Sequence, residues 1–170
     1  MNCRTLSPGA PAAATLFLFA CSAPEERPAV PPPAPVAQEA TVGGDGSAIQ
    51  LNGLSSADVE ANRLSGELGC SFAATGASQP LLLAMGDVAS KEAAQGLVKV
   101  GDYVERVAVP GGFDGMLKGA VFSGAGKTIR VTLTGPASGG GESPPSPATL
   151  TYDRADGASR TWVGSWTCGP

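Results

Sequence analysis

The sequence contains no histidine, and only 15% of its 170 residues are charged. The absence of histidine removes the side chain that serves most often as a general base and as a metal ligand near neutral pH. Lysine and arginine number 11 against 15 acidic residues, which gives a formal net charge of −4. Because nucleic-acid binding depends on clustered basic residues, this balance argues against a nucleic-acid partner.

The chain also lacks an apolar run long enough to span a membrane as a permanent helix. The apolar stretch Ala12–Ala20 follows the positively charged Arg4 and centres on two leucines and two phenylalanines. A membrane-spanning helix needs about 20 apolar residues, which is well beyond this stretch. Its length is typical of the apolar region of an export signal, so we expect the chain to leave the cytoplasm.

The four residues that end this stretch, Leu18-Phe19-Ala20-Cys21, carry a specific resemblance. They resemble the lipobox of bacterial lipoproteins, which a peptidase reads before it cuts in front of the lipid-modified cysteine. The resemblance implies that residues 1–20 are a lipoprotein signal peptide and that Cys21 is the first residue of the mature chain. Phe19 is bulkier than the residue usual at that position. The alternative is a general secretory signal in which Cys21 is incidental.

Acylation of Cys21 would determine where the protein resides. Lipoproteins carry a diacylglyceryl group on this cysteine and often a fatty amide such as palmitate on its amino group. One acyl chain gives marginal membrane binding, whereas two or three give a stable anchor. Ser22 resembles the sorting signal for the outer membrane in Gram-negative lipoproteins. We therefore expect a cell-envelope protein anchored in the outer membrane and facing the periplasm, with Cys3 removed together with the signal peptide.

Residues 21–47 are predicted to form a linker after the lipidated cysteine. Prolines recur through this segment at positions 24, 28, 31, 32, 33 and 35, and alanines fill most of the intervals. Consecutive prolines favour extended polyproline II geometry at about 3.1 Å per residue, so the linker can hold a domain on the order of 60 Å from the membrane. Glycines at Gly43, Gly44 and Gly46 mark a hinge. A ligand for a proline-recognition domain is the alternative interpretation.

Residues 48–170 are predicted to form one small domain that is mainly β. Apolar and polar residues alternate over Leu64–Phe72, over Thr128–Thr134 and over Arg160–Cys168, which is typical of half-buried strands. Ser55 with Asp58 resembles a helix capping box. Glycine-rich turns separate the short strands, and this pattern predicts an antiparallel β-barrel or a β-sandwich.

Cys70 and Cys168 are expected to form a disulfide bond. Export brings the chain into an oxidising compartment, and removal of Cys3 and acylation of Cys21 leave only these two thiols. Both cysteines occupy the apolar register of predicted strands near the two ends of the domain. The bond would place the first and last core strands side by side or across the core. Two buried free thiols are the alternative.

Two sequence features that suggest catalysis or nucleotide binding are weak. Ser123–Thr128 resembles the end of a phosphate-binding loop, but Val121 stands where that motif requires glycine, and a strand is predicted to follow. We expect a hairpin turn there and no nucleotide. The acidic residues that are candidates for a catalytic pair are Asp102, Glu105, Asp114 and Asp153. The sequence indicates no metal site and no cofactor.

The most consistent expectation is a membrane-anchored envelope lipoprotein whose β domain is a non-catalytic binding module for a protein or glycan. The plan of the chain is also similar to that of the membrane-anchored inhibitors of c-type lysozyme, which are small β-barrels with a bridging disulfide. Ser123–Lys127 is the segment nearest to their inhibitory loop, and its match is too poor to transfer any inhibitory residue. A hydrolase that uses a carboxylate pair is the remaining alternative.

Overall fold

The computed structural model describes residues 39–170. This part of the chain contains one α-helix, one 3₁₀ turn (Asp114–Met116) and nine strands. The elements are β1 (Leu51–Asn52), α1 (Ser56–Ala61), β2 (Leu68–Ala74), β3 (Leu82–Gly86), β4 (Ala94–Val100), β5 (Tyr103–Val109), β6 (Ala120–Gly124), β7 (Lys127–Leu133), β8 (Ser146–Arg154) and β9 (Ser159–Gly169). Within the described range, no helix is long and apolar enough to cross a membrane.

Strands β2 to β9 form a closed antiparallel barrel in which each strand pairs with its neighbour in the chain. Pairing of β9 with β2 closes the circle. Strands β4 and β5, which follow one another in the chain, also pair. The short strand β1 adds to β4, where Leu51 lies opposite Val100. The mainly β prediction is therefore confirmed, and of its two forms the barrel is the one observed.

The barrel follows from the period of two in its strands. Inward positions carry large apolar side chains that are fully buried, among them Phe72, Phe122, Ile129 and Leu150. Residues between them point outward and are more exposed. Closure leaves no free edge around the barrel, and the inward side chains fill the interior of a barrel of eight strands.

The disulfide bond between Cys70 and Cys168 is present and joins β2 to β9. The two cysteines are directly opposite one another in the paired strands, with their Cα atoms 4.1 Å apart. Of the two arrangements expected for the first and last core strands, side by side or across the core, the structure has them side by side. The bond closes the barrel at the one position where neighbouring strands are far apart in the sequence.

The structure also corrects details of the predicted elements. The sequence of Ser90–Gln95, which Gly96 follows, favours a helical turn, but β4 already begins at Ala94. The sequence of Met116–Phe122 favours a strand throughout, but the 3₁₀ turn ends at Met116 and β6 begins at Ala120. Gly119 explains the later start, because its φ of +86° lies in the left-handed region and turns the chain before the strand. The capping box of Ser55 and Asp58 is confirmed.

Residues 42–47, which the sequence assigns to the linker, are bound to the barrel. The backbones of Val42 and Ser159 exchange two hydrogen bonds of 2.9 and 2.8 Å. Arg154 donates to the Asp45 carboxylate at 2.7 Å and to the Ser47 hydroxyl at 2.9 Å. The folded unit therefore includes residues before position 48.

Candidate functional site

Cys21, the predicted lipidation site, lies outside the described residues, as do residues 1–20 and most of the linker. Its acylation remains a prediction. Within residues 39–170, no group of three or more histidine, cysteine or acidic residues is placed to hold a metal ion.

The segment Ser123–Thr128 forms the tight turn between β6 and β7. Gly124 pairs with Lys127, so Ala125 and Gly126 are the two central residues. Their φ angles are +46° and +72°, the left-handed combination of the hairpin turns that suit the twist of antiparallel strands. Thr128 continues into β7 and begins no helix. The expectation of a hairpin turn is confirmed, with an alanine at a position where glycine or asparagine is usual.

Lys127 leaves this turn toward the inside of the barrel. Its side chain is 4% exposed and pairs with the Glu105 carboxylate, which reaches it from β5. The buried Tyr152 lies on the neighbouring strand in the same inward register, and desolvation, followed by the Glu105 charge, raises the pKa of its hydroxyl. Lys127 belongs to the segment that resembles the end of a phosphate-binding loop, and its amine is engaged in an internal ion pair.

The four acidic residues considered as a catalytic pair make separate contacts. Glu105 pairs with Lys127, Asp114 accepts the Ala89 backbone N–H at 2.7 Å, and Asp153 accepts the Ser159 hydroxyl at 2.7 Å. Asp102 lies in the exposed turn between β4 and β5. The groove that Asp153 lines contains no other carboxylate.

An apolar groove of about 580 Å³ lies between α1 and the outer face of β3. We call it the helix groove. Apolar side chains dominate its lining, and Glu60 and Arg63 stand at its rim, where their side chains pair at 3.5 Å. The apolar lining residues are Leu54, Val59, Leu64, Pro80, Leu83 and Met85. Clefts of this size with predominantly apolar walls are typical of binding sites.

Helix α1 is held in place at one wall of this groove by polar contacts. The Asp58 backbone N–H donates to the Ser55 hydroxyl, and the Ser55 N–H and hydroxyl both donate to the Asp58 carboxylate. Lys99 on β4 adds an ion pair to Asp58 at 3.0 Å. These groups, with the Ser55 hydroxyl first, lower the pKa of Asp58 to about 2. A helix of six residues is too short to be stable alone, so these contacts fix the groove wall.

Sequence reasoning did not identify the helix groove. Leu81–Met85 reads as a continuous apolar run, which is the pattern of a strand buried on both faces. In the structure Leu82 and Ala84 point into the barrel, whereas Leu83 and Met85 point outward and remain half-buried below α1. Apolar residues at outward positions of a strand were the signal that could have revealed the groove. They can be distinguished from core residues only once the barrel is known.

Comparison with known proteins returned no matching family model, no matching curated protein and no matching solved structure.

Proposed function

We propose that the protein is a non-catalytic binding module of the cell envelope, held at the membrane by acyl chains on Cys21, and that the helix groove receives an apolar segment of a protein partner. The helix groove is the observation that carries this proposal. Its walls are aliphatic, and its rim charges neutralise one another because Glu60 and Arg63 form a pair. An uncharged apolar segment therefore complements it better than a charged ligand.

The binding proposal is tested by a substitution on the groove floor. Leu83→Glu places a charge in the groove, and Thr149→Glu adds the same charge on the outer face of β8 as a matched control. We expect the wild-type chain and Thr149→Glu to retain the same envelope protein in a pull-down, and Leu83→Glu to lose it while its circular dichroism is unchanged. Equal retention by both variants would contradict the proposal. Retention of a glycan in place of a protein would show that the partner is not a protein segment.

The anchor is tested separately at Cys21. The lipobox resemblance of Leu18-Phe19-Ala20-Cys21 supports acylation and outer-membrane localisation. We expect mass spectrometry of the purified protein to give a chain that begins at Cys21 with added acyl mass, and Cys21→Ala to leave the detergent phase. An intact Met1 without added mass would refute the anchor and leave the groove proposal untouched.

Inhibition of a c-type lysozyme is the second candidate. The closed barrel with its Cys70–Cys168 bond supports it, since the inhibitors that the chain resembles are small barrels with a bridging disulfide. The segment nearest to their inhibitory loop, Ser123–Lys127, weighs against this candidate, because it forms a tight hairpin turn whose Lys127 amine is turned inward to Glu105. The purified chain in excess should slow a c-type lysozyme if this candidate is right, and an unchanged rate would remove it.

A further inference from the structure

The barrel has one weak seam, which lies between β5 and β6. These strands share a single aligned pair, Ala108 with Ser123, whereas the other neighbouring barrel strands share between four and eight. The chain leaves β5 at Val109 and enters β6 only at Ala120. A groove of about 570 Å³, which we call the seam groove, is lined by both strands, by their connection and by β7.

Two large apolar side chains are exposed at or next to the rim of this groove. Val121 lines the groove and is 43% exposed, and Leu117, which precedes the lining residue Lys118 in the chain, is 45% exposed. The floor residues Val109, Ala120 and Val131 are buried against the barrel core. A small molecule would be poorly enclosed here, because ligand pockets usually cover most of the ligand surface. A broad partner surface would cover both rim residues.

The same rim carries two cations with no anionic partner. Lys118 and Arg130 line the groove and are exposed, and neither makes an ion pair or side-chain hydrogen bond within residues 39–170. Arg130 lies directly opposite Val121 in the β6–β7 pairing. No acidic residue lines the groove, and the nearby Asp114 is turned to the Ala89 N–H. This local charge is opposite in sign to the net charge of the chain, which is −4.

We propose that Leu117, Lys118, Val121 and Arg130 form a docking surface, the seam patch, for a protein segment that presents carboxylates beside apolar side chains. Arginine is enriched among the few residues that dominate the binding energy of many interfaces. The unpaired cations would attract such a segment and fix its orientation. The seam patch is separated from the helix groove by β4 and β5, so this proposal does not depend on the proposed function.

The test uses the full chain and a fluorescent peptide in which glutamates flank leucines, with binding followed by anisotropy. We expect the acidic peptide to bind, its affinity to fall as salt is added, and a lysine-for-glutamate version of the peptide not to bind. Arg130→Gln should weaken binding about fivefold. Lys91→Gln is the matched control, because Lys91 is an exposed cation on the connection between β3 and β4.

Four results would contradict the seam patch in whole or in part. Equal weakening by Arg130→Gln and Lys91→Gln would mean that the peptide responds to overall charge only. Equal binding of the cationic peptide would remove the charge argument. Binding to vesicles that contain phosphatidylglycerol, without binding to the acidic peptide at concentrations up to about 1 mM, would assign the cations to a membrane surface. A serine in place of Val121 should also weaken peptide binding, and an unchanged affinity would exclude the apolar contact.

Discussion

Two seams of the same barrel are closed in different ways. Strands β8 and β9 share eight aligned pairs, and β9 is joined to β2 by six pairs and by the Cys70–Cys168 bond. Strands β5 and β6 share one pair, and the Glu105 and Lys127 side chains bridge from β5 to β7 inside the barrel. Backbone pairing and the disulfide bond close the seam between β9 and β2, whereas a partly buried ion pair supports the seam between β5 and β6.

The difference also concerns the stability of the surface around the seam patch. A buried ion pair is a weak source of stability, because desolvation of the two charges offsets most of their attraction. The region around the weak seam also leaves Leu117 and Val121 exposed. Stability is therefore concentrated at β2, β9 and β8, and the seam patch lies on β6, on β7 and on the connection before β6. Binding surfaces are commonly found in the less stable parts of a structure.

Removal of the disulfide bond should have the largest effect. Cys70 and Cys168 are 98 positions apart, so chain-entropy arguments give a loss of about 2–5 kcal/mol of unfolding free energy. We expect this loss in urea unfolding of the Cys70→Ala/Cys168→Ala variant. A loss below about 0.5 kcal/mol would mean that strand pairing alone closes this seam.

Disruption of the ion pair should have the second largest effect. Lys127→Met leaves Glu105 without its partner, and we expect a loss of about 1–3 kcal/mol, because the 30% exposure of Glu105 reduces the penalty of a fully buried charge. The variant Lys127→Met/Glu105→Leu should recover most of this loss. Urea unfolding of both variants measures the difference. A double variant no more stable than Lys127→Met would show that the pair does more than neutralise a buried charge.

The capping box should contribute less. Ser55→Ala removes the hydroxyl that caps α1 and should cost about 1 kcal/mol at neutral pH. The pKa of Asp58 is lowered from 3.8 to about 2, so the stabilisation by its charged form is complete above pH 3.8 and is lost as the pH falls through about 2. The stability advantage of the wild type over Ser55→Ala should decrease over this interval. A pH-independent difference would contradict the coupling of Ser55 to the Asp58 charge.

The smallest effect on stability is expected at the seam patch. Val121→Ser changes an exposed side chain, so the unfolding free energy should change by less than about 0.5 kcal/mol. A larger loss, measured in the same urea experiment, would place Val121 in the structural core and weaken the comparison between the two seams.

Much of the fold follows from local patterns. The alternation over Thr128–Thr134 and over Arg160–Cys168 identifies β7 and β9, and Ser55 with Asp58 identifies the start of α1. The two cysteines of the domain predict a bond that brings the first and last core strands side by side or across the core. Each of these signals arises from residues whose chemistry does not depend on distant neighbours.

The remaining features depend on contacts that no local pattern specifies. The barrel and the sandwich share the same alternation, and they differ in whether β9 pairs with β2 to complete a circle. The outward direction of Leu83 and Met85 follows from that closure. The isolated cations Lys118 and Arg130 are recognised only when strand register shows which residues surround them.

Native-state hydrogen exchange tests the comparison of the two seams most directly. Amides of β8 and β9 should exchange only through global unfolding, whereas those that link β5 to β6 should exchange through a local opening of lower free energy. In Lys127→Met the free energy of the local opening should fall further, whereas the free energy that governs exchange in β8 and β9 should follow global stability. Equal protection of both regions in the wild-type protein would contradict the account.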